Sequence, residues 1–269
     1  MTAGTGPATP LHVHRLREGR GSGTPLVLLH AFPLDARMWV PAADRLPADR
    51  GVLAVDLPGM GASRDVPLPE PSLEAAADAV ADSLRALGLD RVVLAGLSMG
   101  GYVAMALLER HPGLVAGLGL LDTKSTADPE AARANRLRVA DAVEARGTVD
   151  EVLGMASTLL GPTTVATRPG LVTTVTGWIG DQTPRGVAWS QRAMAARPDR
   201  TAVLATLDGP ALVLVGAQDE VTPLSAARAM ADALPHARLV VAPDAGHLSA
   251  LEDPAEVAVA LDGLVAAVG

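Results

Sequence analysis

The sequence predicts an α/β fold with a mostly parallel central sheet. Short runs of valine and leucine recur along the chain with little polar alternation, which is typical of strands buried on both faces. Segments whose apolar residues repeat at helical spacing lie between these runs, and strands that alternate with helices form parallel sheets. The 269 residues, 49% of them hydrophobic, suffice for one full core.

The predicted elements follow one another along the chain. Residues 11–17 alternate in polarity, as expected of an edge strand. The other predicted strands are residues 25–29, 51–55, 91–95, 115–121, 211–215 and 238–241. The predicted helices are residues 38–46, 72–87, 102–109, 225–233 and 254–268. Ser72 is the expected N-cap of the second of these helices.

The stretch of residues 123–206 breaks this rhythm because it contains no clear strand. Its helical patches are residues 129–146, 150–160, 169–178 and 184–196. We therefore expect residues 1–122 and 207–269 to form the core, and residues 123–206 to form a helical cap inserted between two strands.

Composition narrows the class of protein. The net charge of −8 argues against a nucleic-acid partner. The absence of cysteine excludes disulfides and thiolate chemistry and fits a cytoplasmic protein. No apolar run reaches the length of a membrane span, and residues 1–10 are expected to be a disordered lead-in, not a signal peptide.

One hexapeptide, Gly-Leu-Ser-Met-Gly-Gly at residues 96–101, carries the strongest chemical signal. It follows a predicted strand and opens a predicted helix, which is the context of a nucleophile elbow. The sharp turn would present the Oγ of Ser98 beyond the edge of the sheet. The alternative is a turn in which Ser98 serves only as a helix cap.

A serine nucleophile needs a base, and the base needs an orienting acid. His247 follows the last predicted strand and is the expected base. Asp219 follows the preceding strand and is the expected acid, so the chain order is Ser, Asp, His. Asp122, which ends another strand, and Asp244, close to His247 in sequence, are competing acids.

Two backbone N–H groups are needed to hold the oxyanion of the tetrahedral intermediate. Met99 follows the nucleophile at a helix N-terminus and supplies the first. Phe32 is the expected second donor, because Pro33 has no N–H. Phe32 is also the only phenylalanine in the chain, and a core anchor is the alternative role.

These features resemble the α/β-hydrolase family over nearly the whole chain. Residues 30–33 look like its His-Gly-x oxyanion loop, and residues 56–63 look like its Asp-x-x-Gly-x-Gly-x-Ser loop. Residues 216–219 and 245–247 are similar to its acid and base motifs. Ala31 departs from the family pattern, since glycine is usual there. The resemblance implies acyl transfer to Ser98 without a metal or organic cofactor.

Within the family the chain looks most like small carboxylesterases, enol-lactone hydrolases and cofactor-free haloperoxidase or perhydrolase relatives. The predicted function is hydrolysis of a small-molecule carboxylic ester. An enol-lactone hydrolase, a perhydrolase-type relative and a non-enzymatic ligand sensor are the alternatives. Met155, Leu159, Trp178 and Trp189 are candidate substrate-binding residues. An anionic lactone would call for an arginine such as Arg133 or Arg192, and oligomeric state stays open.

Overall fold

A seven-stranded sheet forms the centre of the molecule, in the order β1-β3-β2-β4-β5-β6-β7. The structure is a computed structural model that describes residues 9–20 and 23–269, so most of the predicted lead-in lies outside the described residues. The strands are β1 Val13–Arg17, β2 Leu26–Leu29, β3 Val52–Val55, β4 Val92–Leu97, β5 Val115–Leu121, β6 Ala211–Gly216 and β7 Ala237–Ala242. β1 pairs antiparallel with β3, and every other pairing is parallel.

Burial explains the sequence pattern of each strand. Every residue of β2 to β6 is buried, which is why these strands read as continuous apolar runs. The edge strands β1 and β7 each have exposed positions. The prediction of a mostly parallel sheet in an α/β fold, with an edge strand first, is confirmed.

Helices cover the sheet and fill the long connection between β5 and β6. The helices outside that connection are α1 Val40–Ala43, α2 Leu73–Ala86, α3 Met99–Arg110, α11 Leu224–Ala233, α12 Ser249–Glu252 and α13 Pro254–Val268. Those between β5 and β6 are α4 Glu130–Arg146, α5 Asp150–Leu153, α6 Met155–Leu159, α7 Pro162–Thr167, α8 Pro169–Gly180, α9 Pro184–Ala196 and α10 Thr201–Leu204. Ser72 caps α2, as predicted, by accepting a hydrogen bond from the N–H of Ala75.

Two helix predictions were wrong in detail. The helix expected over residues 38–46 is instead a 3₁₀ turn, Ala36–Trp39, followed by the single turn of α1. Asp35 starts the 3₁₀ turn by accepting from the N–H of Arg37, which places the beginning earlier than the apolar pattern suggested. The helix expected over residues 150–160 is broken at Gly154, since glycine is a poor residue for a helix interior.

The connection that holds α4 to α10 returns to a neighbouring strand, because β5 and β6 pair directly. Its residues contact loops that follow other strands of the sheet. The N–H of Gly61, beyond β3, donates to the side chain of Gln182, and the N–H of His247, beyond β7, donates to the carbonyl of Leu159. These helices therefore lie against the carboxyl edge of the sheet, where ligands of such folds bind.

No helix within the described part of the chain has both the length and the apolar composition needed to cross a bilayer.

Candidate active site

Ser98 occupies a sharp turn between β4 and α3. Its backbone angles are φ 54° and ψ −112°, a combination that residues with a side chain seldom adopt. The turn leaves no room for a side chain at its glycine positions, since a Cβ on Gly96 would lie 2.2 Å from the carbonyl carbon of Gly100. A Cβ on Gly100 would lie 2.2 Å from the carbonyl oxygen of Leu29. The glycines of the motif therefore have a steric cause.

The turn brings Ser98 into line with His247 and Asp219. The Oγ of Ser98 lies 2.8 Å from Nε2 of His247, and Nδ1 of His247 lies 2.8 Å from Oδ2 of Asp219. A carboxylate only accepts hydrogen bonds, so Nδ1 carries the proton of a neutral ring and Nε2 is left to accept from the serine hydroxyl. The three residues that sequence reasoning assigned as nucleophile, base and acid are adjacent, in a geometry suited to those predicted roles.

Asp219 is held in place as an anion. Its Oδ1 accepts the N–H groups of Val221 at 2.7 Å and Thr222 at 2.9 Å, and Oδ2 accepts the hydroxyl of Thr222. Burial acts to raise the pKa of Asp219, but the hydrogen bond and charge of His247, with the bonds from Thr222, bring that pKa below its usual 3.8. The carboxylate can therefore stabilise an imidazolium at neutral pH. Sequence reasoning missed Thr222.

The competing acids do not contact the imidazole. Asp122 is fully buried, and its Oδ1 accepts the N–H of Gly216 at 2.8 Å. Its Oδ2 accepts the N–H and the hydroxyl of Ser249. Burial, reinforced by the negative charge of Asp219, raises the pKa of Asp122 well above its usual value. Asp244 is exposed to solvent, whereas the acid paired with the buried ring is Asp219.

The predicted oxyanion donors follow two paired strands, Phe32 after β2 and Met99 after β4. Met99 is the first residue of α3 and Phe32 is buried in the loop after β2. Within the described residues, neither backbone N–H donates to a protein acceptor, whereas the N–H of Ala31 donates to the sulfur of Met38. Both N–H groups are thus available to a ligand oxygen, as their predicted role requires.

His30 organises the loop that carries Phe32. Its Nδ1 is 2.9 Å from the carbonyl oxygen of Ala31, and its Nε2 accepts the N–H of Leu57 at 2.9 Å. Burial lowers the pKa of His30 below its usual 6.5, although the charge of Asp56 opposes the shift. A neutral ring fits both contacts, because it donates at one nitrogen and accepts at the other.

The loop at residues 56–63 is also internally bonded. The carboxylate of Asp56 accepts the N–H groups of Ala36 and Ala62, each at 2.8 Å. A Cβ on Gly61, where φ is 52°, would lie 2.4 Å from that carboxylate. The glycine and the aspartate of this motif therefore hold the loop closed beside the predicted oxyanion loop.

The four candidate substrate-binding residues fall in different places. The carbonyl of Leu159 accepts the N–H of His247 at 3.0 Å, so Leu159 adjoins the predicted base. Trp178 lies under the guanidinium of Arg37, 5.4 Å from the ring centroid. Trp189 is buried and its indole N–H donates to the carbonyl of Pro69. Met155 is half-buried at the start of α6. Their contact with substrate stays a prediction.

The arginines considered for an anionic substrate have protein partners. Arg133 donates to the carbonyl of Ala195, and Arg192 pairs with Asp141 and Glu144 on α4. Across residues 9–20 and 23–269, no group of three or more His, Asp or Glu side chains is arranged to hold a metal ion.

Comparison with known proteins places the chain in a family. Residues 24–254 match the model of the alpha/beta hydrolase fold, and the chain belongs to this family. It is 32% identical over 251 residues to the pimeloyl-[acyl-carrier protein] methyl ester esterase of Aromatoleum aromaticum, a match that covers 89% of this chain and 97% of that protein.

Solved structures give the same result. A thermophilic esterase from Thermogutta terrifontis, with malate bound, superimposes with a TM-score of 0.89 at 37% identity over 96% of this chain and 93% of that one. The enol-lactonase from Burkholderia xenovorans LB400 superimposes with a TM-score of 0.83 over 95% of this chain and 96% of that one. Its 22% identity shows a shared fold alone.

Proposed function

We propose that the protein is a serine hydrolase that cleaves carboxylic esters through an acyl-enzyme on Ser98. The observation that carries the proposal is the chain of two 2.8 Å contacts from Ser98 to His247 and from His247 to Asp219. A serine hydroxyl is a weak nucleophile by itself, and this arrangement of base and buried acid is the one that activates it.

Each residue then has a defined step. Nε2 of His247 takes the proton of Ser98 as Oγ attacks the ester carbonyl, and the carboxylate of Asp219 stabilises the imidazolium. The N–H groups of Met99 and Phe32 hold the oxyanion of the tetrahedral intermediate. The imidazolium returns its proton to the departing alcohol. His247 then deprotonates a water molecule that attacks the acyl carbon, the bond from that carbon to Oγ breaks, and the imidazolium gives its proton to Oγ, which frees the acid and restores Ser98.

The relatives support this reaction class. Both of the relatives described above that share at least 30% identity over most of the chain carry the name esterase. A lactone is an internal ester, so the same steps would open one, and enol-lactone hydrolysis is the second candidate on the fold shared with the enol-lactonase.

We also propose that residues 123–206 act as a cap that shapes the substrate pocket, with Met155, Leu159, Trp178 and Trp189 as its candidate walls. The support is the contact of Leu159 in α6, and of Gln182 between α8 and α9, with loops that follow strands of the sheet. A small-molecule substrate and a cytoplasmic location are the predictions that go with this function.

The test is hydrolysis of p-nitrophenyl acetate, butyrate and octanoate by the wild-type protein and by Ser98→Ala. We expect many turnovers per wild-type molecule and a loss of at least about 1,000-fold in the variant. The acyl-chain length that is hydrolysed fastest will indicate the size of the acyl pocket. A folded wild-type protein that turns over none of these esters, nor an enol-lactone, would contradict the proposal and favour a ligand-binding role.

A further inference from the structure

We propose that Glu252 is a positioning residue, whose carboxylate fixes the backbone on both sides of His247 and joins that loop to residues 159–161. The inference rests on the proposed function, in which His247 is the base. The hydrogen bonds of the Glu252 carboxylate go to backbone N–H groups and not to the imidazole or to Ser98, so it acts through the loop that carries the base.

The backbone N–H groups around His247 are all bonded to protein acceptors. Oε1 of Glu252 accepts the N–H of Gly246 at 3.0 Å and that of Leu248 at 3.1 Å. The N–H of His247 itself donates to the carbonyl of Leu159, and that of Ser249 donates to Asp122. The two residues flanking the base therefore share one acceptor oxygen, which leaves the loop little freedom to rotate.

The second oxygen of the same carboxylate holds another segment. Oε2 of Glu252 accepts the N–H of Gly161 at 2.8 Å. The two backbones are in direct contact there, since a Cβ on Gly246 would lie 2.2 Å from the nitrogen of Gly161. Glu252 thus lies across a junction between the base loop and the connection that carries the predicted cap.

The acid loop is attached to the same connection. The Oε1 of Gln218, next to Asp219 in sequence, accepts the N–H of Thr163 at 3.1 Å. Its Nε2 donates to the hydroxyl of Thr163 at 2.9 Å. Residues 159–163 therefore contact the loops of both His247 and Asp219, and the distance between base and acid depends on how this segment is held.

The residue type at position 252 follows from these contacts. Glu252 is 5% exposed, and across the described residues its carboxylate forms no salt bridge. Arg168 contacts the same residue, but it donates to the backbone carbonyl and not to the carboxylate. Three N–H donors replace the solvent around the charge. A carboxylate has only acceptors, whereas the amide of a glutamine would point an N–H₂ group at one of those three donors.

The test compares Glu252→Gln and Glu252→Ala with a matched control, Asp253→Asn. Asp253 is the adjacent carboxylate and accepts a single N–H, that of Glu256, at the start of α13. Hydrolysis of p-nitrophenyl butyrate is measured per active site titrated with a fluorophosphonate. We expect kcat to fall about 10-fold in Glu252→Gln and about 100-fold in Glu252→Ala, with little change in KM, and the control to keep the wild-type kcat.

A readout at His247 separates positioning from folding. In the wild type, the Nδ1 proton of His247 should give a strongly deshielded proton resonance from its bond to Asp219, and Glu252→Gln should shift or broaden it. The amide protons of Gly161, Gly246 and Leu248 should exchange slowly in the wild type. Unprotected amides there would overturn the proposal without any variant.

The proposal would also be overturned if both Glu252 variants kept the wild-type kcat per titrated site. The same holds if their total activity fell only in proportion to the number of sites that the fluorophosphonate titrates. In both cases the wild type remains an active esterase. Failure of the proposed function would instead show as a wild type without turnover, so the two failures are distinguishable.

Discussion

An aspartate with a buried side chain follows β5 and another follows β6, and their pKa values are shifted in opposite directions. Asp122, beyond β5, is bonded to backbone N–H groups and to the hydroxyl of Ser249, and burial raises its pKa. Asp219, beyond β6, is bonded to His247 and Thr222, and its pKa is lowered although burial acts the other way. The same side chain on adjacent strands thus serves two purposes.

The difference shows that a strand-end position does not by itself make an aspartate the acid of a catalytic site. Burial raises the pKa of both carboxyls, but the hydrogen bond and charge of His247 bring the pKa of Asp219 below its usual value, whereas the negative charge of Asp219 adds to burial in raising the pKa of Asp122. Asp122 fastens β6 and the start of α12 to β5. Asp219 is the group that can stabilise charge on His247.

Replacement of Asp219 should give the largest effect of any change to this pair. We expect Asp219→Asn to lower kcat by about 10,000-fold, because an amide no longer requires a proton on Nδ1 and the ring loses its ionic partner. The measurement is kcat for p-nitrophenyl butyrate with Asp122→Asn assayed in parallel. Equal losses in the two variants would contradict the assignment of the acid.

Removal of the hydroxyl that supports Asp219 should have a smaller effect. Thr222→Val keeps the shape of the side chain and removes the hydroxyl donated to Oδ2, while the backbone N–H to Oδ1 remains. We expect kcat to fall about 10-fold with KM nearly unchanged. Thr201→Val, which removes a hydroxyl bonded to Ser125, is the control and should keep the wild-type kcat.

Replacement of Asp122 should alter catalysis least. Asp122→Asn is expected to change kcat by no more than about 3-fold, while loss of an acceptor for a buried N–H destabilises the fold by about 1–3 kcal/mol at low pH. Urea unfolding measures the free energy of unfolding of the variant, and steady-state kinetics measure its kcat. A loss of kcat beyond about 100-fold in a folded variant would mean that Asp122 takes part in the reaction.

The pH dependence of stability should also separate the two carboxyls. The pKa of Asp122 is raised on folding from about 3.8, so the folded protein keeps a proton that the unfolded chain loses. The contribution of this carboxyl to the free energy of unfolding therefore falls as pH rises above 3.8 towards the pKa of the folded state. The pKa of Asp219 is lowered, so its contribution is present above 3.8 and is lost as pH falls below that value.

The stability advantage of the wild type over Asp122→Asn should therefore shrink as pH rises from about 4, by up to about 1.4 kcal/mol per pH unit. Urea titrations of both proteins at pH 4.5, 6 and 7.5 measure this difference. A constant difference over that range would contradict a raised pKa for Asp122.

Local sequence patterns predicted the strands of the sheet and many residues of the candidate site. Apolar runs marked the strands, and glycines around Ser98 marked the turn, because both reflect short-range sterics. The order of Ser98, Asp219 and His247 along the chain anticipated that the three would meet. Chain patterns did not separate 150–160 into two helices, since only Gly154 signals the break.

Other features depend on contacts between distant segments, and no local pattern shows them. Glu252 reads as one acid in an acidic stretch, yet its carboxylate binds Gly161, which lies in another part of the chain. Asp122 and Asp219 look alike in sequence because each follows an apolar strand. Their partners, set by the order of strands in the sheet, distinguish them.

The most direct measurement is the site of acylation during turnover. Wild-type protein is mixed with excess p-nitrophenyl butyrate, quenched in acid within the first turnovers and digested, and the peptides are analysed by mass spectrometry. The proposed mechanism predicts a butyryl group on Ser98 that is absent from Ser98→Ala and from His247→Ala. Sustained turnover with Ser98 unmodified and the acyl group on another residue would contradict it.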